Sequence, residues 1–378
     1  MERISNKKLS FAVIGAGNGG QAIAAYLALK GYTVNLYNRS IERIIEIKQR
    51  GYIDLVGAYS GRGILNLVTN NIERAVKNVD IIMVVLPANA HKFVANKIAP
   101  IITPNQYVVL NPGRTGGALE FKNIIAKHNP IKEICVVEAQ TLLFACRSLC
   151  NGEVNIFGKK NEVKVSALPG IRTKEFIKVI KEAFPEFTGS RSVLETSFNN
   201  IGSILHPIPT LLNCGRIEDT LGNFQYYVDG ITPSISKVIE QADQERMLIS
   251  KKLNIKTISL REWLAYTYKA SGETLCEALR NTKEYHGIMA PPNICTRYIF
   301  EDVPQSLVPI SDMGKHLGVI TPTIDSIIHL TSILHGTDYY KYGRKISDMG
   351  LDGLSTVDEI TSYVINGKTS NSNEGVVA

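Results

Sequence analysis

The sequence predicts an α/β domain built on a mostly parallel sheet, followed by an all-α C-terminal domain. Three observations lead there. At 378 residues the chain exceeds the usual size of a single hydrophobic core. From residue 9 to about 185, short apolar runs alternate with helical stretches, the pattern of a parallel sheet covered on both faces. Beyond Pro185 the segments lengthen, helical periodicity takes over and convincing strands vanish. The expected domains are therefore 1–187 and 188–378.

Strands are expected at 9–14, 33–37, 81–86, 107–110 and 134–137, each a short run rich in Val, Ile and Leu. Residues 21–30 form a good helix that stops at Gly31, a plausible C-cap. Runs at 154–157 and 163–167 flank Gly158-Lys-Lys-Asn161, a hairpin signal, so antiparallel strands are expected near the end of the sheet. Thr232-Pro233 reads as an N-cap with proline in the first helical position. Ile235, Val238, Ile239 and Ala242 then share one helical face. Residues 260–281 continue in helical style, 287–293 form an apolar proline loop, 324–334 are helical, and 367–378 read as a frayed tail.

Composition narrows the function classes. A 44% hydrophobic, 20% charged chain is an ordinary globular protein. No apolar run approaches the ~20 residues of a membrane helix. The polar N-terminus lacks the features of a signal peptide, which points to a cytoplasmic protein. The net charge of +7 is dispersed without a nucleic-acid motif and fits small anionic ligands better than a polyanion. Six cysteines show no CxxC pairing, so reduced thiols and no metal are expected.

The first predicted strand runs into Gly15-Ala16-Gly17-Asn18-Gly19-Gly20 and a helix. In that context Gly15 permits the tight turn, Gly17 lets the backbone approach a pyrophosphate, and Gly20 lets helix and strand pack closely. The helix N-terminus supplies N–H groups to phosphates. This is the Rossmann dinucleotide fingerprint. The second strand ends in Asn38-Arg39-Ser40, where NAD-preferring clamps carry an acid. A guanidinium beside a hydroxyl suits a 2′-phosphate, so NADP(H) is expected over NAD, with Arg39 as a loop charge or an adenine stack the alternatives. Leu86 and Pro87 follow the third predicted strand and are expected beneath the cofactor. Arg114, in Asn111-Pro112-Gly113-Arg114, reads equally as a ligand contact or an exposed loop charge.

His206 lies within an apolar stretch, where histidines are usually core or cap residues. Paired with a carboxylate it would be a proton shuttle near neutral pH. Asp302 is a candidate partner; Glu301 competes with it, and 301–304 could equally be a helix start.

These residues resemble the opine dehydrogenases, the octopine/nopaline dehydrogenase family. The likeness runs over most of the chain. It is carried by the glycine loop, Glu138-Ala-Gln-Thr-Leu-Leu-Phe-Ala-Cys-Arg147, 199–207, Arg297-Tyr-Ile-Phe-Glu-Asp-Val-Pro304, Leu307-Val-Pro-Ile-Ser311, Gly314-Lys-His-Leu-Gly-Val319 and Thr321-Pro-Thr-Ile-Asp325. The resemblance implies a Rossmann domain joined to a helical domain, with the active site in the interdomain cleft. It implies reductive condensation of an amino acid with a 2-oxo acid, pyruvate being the oxo acid expected. By position, His206 would be the general acid/base and Asp302 its orienting partner. Arg297 would bind the oxo acid's carboxylate, an interdomain ion pair being its alternative, and Thr141 would add a hydroxyl. A homodimer is one expectation, with no face identified. Two other readings compete: an NADP-dependent 2-oxo acid reductase of the ketopantoate reductase type, for which Lys237, Lys251, Lys252 and Lys269 are on offer, and a cofactor-binding sensor.

Overall fold

The computed structural model describes residues 8–129 and 133–367. The chain divides into two compact units. The first holds the chain up to Gly113, Gly117–Thr196 and a short C-terminal piece beginning at Ser362. The second holds Arg114–Gly116 and Ser197–Thr361. The division thus falls after Thr196 rather than after residue 187, and three residues following β7 count with the helical unit.

Among the described residues the first unit carries twelve strands: β1 Ser10–Ile14, β2 Thr33–Tyr37, β3 Tyr52–Gly57, β4 Gly61–Ile64, β5 Leu67–Thr69, β6 Ile81–Val84, β7 Tyr107–Leu110, β8 Cys135–Ala139, β9 Phe144–Cys150, β10 Glu153–Lys159, β11 Val163–Leu168 and β12 Phe187–Gly189. The main sheet has the order β12-β11-β8-β7-β6-β1-β2-β5. Its parallel core, β5-β2-β1-β6-β7-β8, is the 3-2-1-4-5-6 order of a dinucleotide fold, which reverses direction beside β1. β1, β6 and β8 are buried along their whole length, as parallel strands covered on both faces must be.

A smaller sheet, β4-β3-β10-β9, was not expected. The helix Asn18–Leu29 packs against both sheets, and Gly20 through Leu27 are all buried. That explains its apolarity on every side. The expected hairpin across 158–161 does not form. β10 pairs with β9 and β3, whereas β11 crosses into the main sheet antiparallel to β8. The real hairpin turns at Asn151-Gly152, with Gly152 at φ +89°, the strongest two-residue turn signal in the segment. β12, just beyond Pro185, also corrects the expectation that strands end there.

The second unit is helical. Thr232 caps the helix Pro233–Lys252, its side chain accepting from the Ile235 N–H at 3.3 Å. Within that helix the fully buried Arg246 donates to Asp243, and Asp243 accepts the Leu260 N–H. Glu245 accepts the Thr323 and Ile324 N–H groups, which tethers the start of the helix Pro322–His335. The tail expected at 367–378 lies, apart from Gly367, outside the described residues. No helix among the described residues is long and apolar enough to cross a membrane.

Candidate functional site

The glycine turn follows β1 at the point where strand order reverses. Gly15 adopts φ +114°, and a Cβ there would lie 2.4 Å from the Val85 carbonyl oxygen. A Cβ on Gly20 would meet the Gly15 carbonyl oxygen at 1.8 Å. Around Gly17 there is nothing within 4 Å, so backbone is open just where the helix Asn18–Leu29 begins. The first turn of that helix carries no acid. An uncluttered turn opening on the positive end of a helix fits a pyrophosphate.

The other predicted cofactor residues gather around this turn. Asn38 Oδ1 accepts the Ala16 N–H at 3.2 Å, and its Nδ2 donates to the Ser40 carbonyl at 3.0 Å. Asn38 therefore ties the glycine turn to the end of β2. Arg39 is exposed, its guanidinium 5.6 Å from the Phe93 ring centroid, and Ser40 beside it is also exposed. Leu86 lies against Gly15, while Pro87 is exposed. Asn18 Oδ1 accepts the Ser148 N–H at 3.1 Å, which binds the loop to β9.

In the helical unit, His206 stands at the break between the helices Gly202–Leu205 and Pro207–Leu212. Its Nδ1 lies 2.9 Å from Asp302 Oδ2. The ring stacks on Tyr298, centroids 4.6 Å apart and planes at 22°. The His206 carbonyl accepts from Thr210 at 2.9 Å and from Tyr226 at 2.5 Å, so backbone as well as ring is held. Asp302 is fully buried and does not act as a helix cap. It sits where the helix Arg297–Phe300 passes into a π-helical stretch, Val303–Leu307, whose Pro304 lacks an N–H.

Arg114 is not an exposed loop charge. It is 7% exposed, with Nη1 2.8 Å from Asp302 Oδ1 and Nε 3.0 Å from Glu301 Oε1. Burial works against its charge, but Asp302 and Glu301 outweigh that and hold its pKa above the ordinary arginine value. Glu301, the competing partner for His206, thus belongs to Arg114. The segment is anchored by Thr115 N–H to the Gln305 carbonyl, Gly116 N–H to Ser197 Oγ, and Arg344 Nη1 to the Thr115 carbonyl. Gly202 is required too, since a Cβ there would lie 2.9 Å from His206 Cε1 and 3.0 Å from Arg114 Nη1.

The remaining candidates do not join this cluster. Arg297 is exposed, 5.9 Å from the Tyr298 ring centroid, and makes no ion pair among the described residues. Thr141 lies two residues beyond β8 in the α/β unit, where its hydroxyl accepts from Lys160 Nζ at 2.8 Å. Sequence reading gave no role to Lys160, Tyr298 or Gly202, and left Arg114 undecided. Lys237, Lys251, Lys252 and Lys269 are all exposed.

Residues 189–335 match the family described as NAD/NADP octopine/nopaline dehydrogenase, alpha-helical domain. Residues 10–142 match the N-terminus of NAD-dependent glycerol-3-phosphate dehydrogenase. The chain is 41% identical over 347 residues to an opine dehydrogenase of Arthrobacter sp. (strain 1C), covering 92% of this chain and 96% of the relative. Its fold is similar to that of octopine dehydrogenase, solved with NADH and L-arginine, at TM-score 0.78, 18% identity and coverage of 96% and 99% of the two chains. It is less similar to a ketopantoate reductase from Ralstonia eutropha, at TM-score 0.58, 14% identity and coverage of 87% and 99%. Identity on this scale over nearly the whole of both chains, joined to the glycine turn and the His206–Asp302 pair, places the chain in the opine dehydrogenase family, as an NAD(P)-dependent oxidoreductase acting on the CH–NH bond of secondary amines.

Proposed function

We propose that this protein condenses the amino group of an amino acid with a 2-oxo acid, using NADPH, to give a secondary-amine dicarboxylate, and that it catalyses the reverse oxidation. The observation that carries the reading is His206 held by a buried carboxylate that is itself held by Arg114. Condensation passes through a carbinolamine that must lose water to become an imine, so protons move twice before reduction. With Nδ1 donating to Asp302, the His206 tautomer leaves Nε2 as the basic nitrogen. That nitrogen accepts a proton from the incoming amine and returns it to the departing hydroxyl. Asp302 steadies the imidazolium formed between those steps.

Arg297, exposed and without an ion-pair partner among the described residues, is suited to grip a substrate carboxylate through two parallel bonds. Thr141 adds a hydroxyl on the α/β unit. The glycine turn, Asn18, Asn38, Leu86 and Pro87 would hold the dinucleotide, which supplies the hydride when bound. Arg39 and Ser40 would take a 2′-phosphate, which is why NADPH is favoured even though octopine dehydrogenase was solved with NADH. Octopine dehydrogenase was also solved with NADH and pyruvate, which supports pyruvate as the first oxo acid to try.

The test is NADPH oxidation with pyruvate and other 2-oxo acids, each with and without a panel of L-amino acids, the product identified by mass. Turnover that needs both carbon substrates and yields a secondary amine is expected. Turnover with the oxo acid alone would transfer the protein to the 2-oxo acid reductases. Cofactor choice has its own test. R39A is expected to weaken NADPH binding by about 10–100-fold, the worth of charge-assisted hydrogen bonds to a phosphate, with NADH binding nearly unchanged. Equal losses for both cofactors in fluorescence titration would contradict the assignment.

A further inference from the structure

Lys160 is a cation whose place in the site is not accounted for by the roles above. It follows β10, and its backbone N–H bonds to the Leu143 carbonyl at 3.0 Å, which brings its side chain beside the segment after β8. The ammonium donates to Thr141 Oγ1 and to the Leu142 carbonyl, both at 2.8 Å. Both partners are neutral, and among the described residues no carboxylate offsets the charge. An ammonium has three donors and no acceptor. Two are spoken for, leaving one for a further acceptor. Because the ammonium can only donate, Thr141 Oγ1 must accept from it, and the Thr141 hydrogen is left to point at a second acceptor.

The position has meaning within the sheet. β6, β7 and β8 form the second mononucleotide half of the 3-2-1-4-5-6 order, the half that receives the nicotinamide end of a dinucleotide. Leu142, between Thr141 and the rest of the loop, lies against Gly19 of the glycine turn. Lys160 and Thr141 therefore keep two remaining donors near the nicotinamide end of the cofactor site. Burial without a counter-charge also lowers the Lys160 pKa to about 8, an arrangement that an incoming anion would relieve.

We infer that Lys160 and Thr141 form a second carboxylate-binding site, which takes the substrate carboxylate that Arg297 does not. The inference rests on the opine reading, in which the product carries two carboxylates, one from each carbon substrate. Two anions call for two cationic anchors, and Arg297 is one.

The experiment measures KM for pyruvate and for an accepted L-amino acid, with the NADPH Kd measured by fluorescence, in wild type, K160M, K160R, T141V and R297M. K160M is expected to raise one carbon substrate's KM by about 20–100-fold, the worth of a hydrogen-bonded charge pair, with NADPH Kd within about twofold. R297M should raise the KM of the other substrate. K160R should recover most of the loss, and T141V should raise the same KM as K160M by roughly 3–10-fold. Where K160M lowers the melting temperature, K160Q replaces it. Unchanged KM values would mean a structural lysine and overturn the inference. A shift in NADPH Kd would assign Lys160 to a cofactor phosphate, and an effect on the same substrate as R297M would remove the second anchor; either overturns it. If turnover needs no amino acid, the opine reading fails separately. Oxamate binding to the NADPH-saturated protein then decides: about 20-fold weaker binding in K160M sustains an anion site, and unchanged binding ends it.

Discussion

H206N is expected to lower kcat by about 10²–10⁴-fold, the usual worth of a positioned general acid/base, while NADPH Kd stays within about twofold. Asparagine can still bond to Asp302, so the buried carboxylate keeps a partner and the local fold survives. What it loses is the nitrogen that moves a proton. Carbinolamine formation and dehydration then depend on water. The measurement is stopped-flow NADPH oxidation beside a fluorescence titration of the cofactor. A variant that retains more than about a tenth of wild-type kcat would remove His206 from the chemistry.

R114M is expected to combine loss of activity with loss of stability. Removing the guanidinium leaves two carboxylates, Asp302 and Glu301, buried without their common cation. Breaking a buried ion pair on one side costs about 3–5 kcal/mol. The urea midpoint should fall accordingly, and kcat should fall because Asp302 no longer has a fixed place against His206. R114K should rescue poorly, since one ammonium cannot span both carboxylates as Nε and Nη1 do. R114M/E301Q, which removes one stranded charge, should regain part of the stability but not the activity. If R114M unfolds at the wild-type urea concentration, Arg114 is not the counter-ion that holds the cluster together.

The parts of the site legible in the sequence were those set by local rules. A strand, Gly15, Gly17 and Gly20, and a helix specify a dinucleotide turn because each glycine answers a local steric demand. β2 and β7 were bounded correctly because branched apolar runs between turns leave little choice. The misplaced hairpin shows the limit. Gly158-Lys-Lys-Asn161 and Asn151-Gly152 are both turn signals, but pairing depends on which sheet needs an edge. Arg114 shows the same limit in chemical form. A charge after a strand looks like a surface residue until its buried partners are known.

Resemblance to a family marked His206 and Asp302 for proton transfer; by itself the sequence determined an α/β half followed by a helical half and a dinucleotide turn at residues 15–20. It did so because backbone preference, apolar periodicity and side-chain chemistry act over a few residues. Only the tertiary structure decided that Asp302 rather than Glu301 meets His206, that Arg114 holds both acids, and that Lys160 stands over Thr141. His206 and Asp302 are 96 positions apart, and Arg114 and Glu301 are 187 apart. Contacts at such separations are set by how cores close, and no local pattern encodes which charges that closure will bury together.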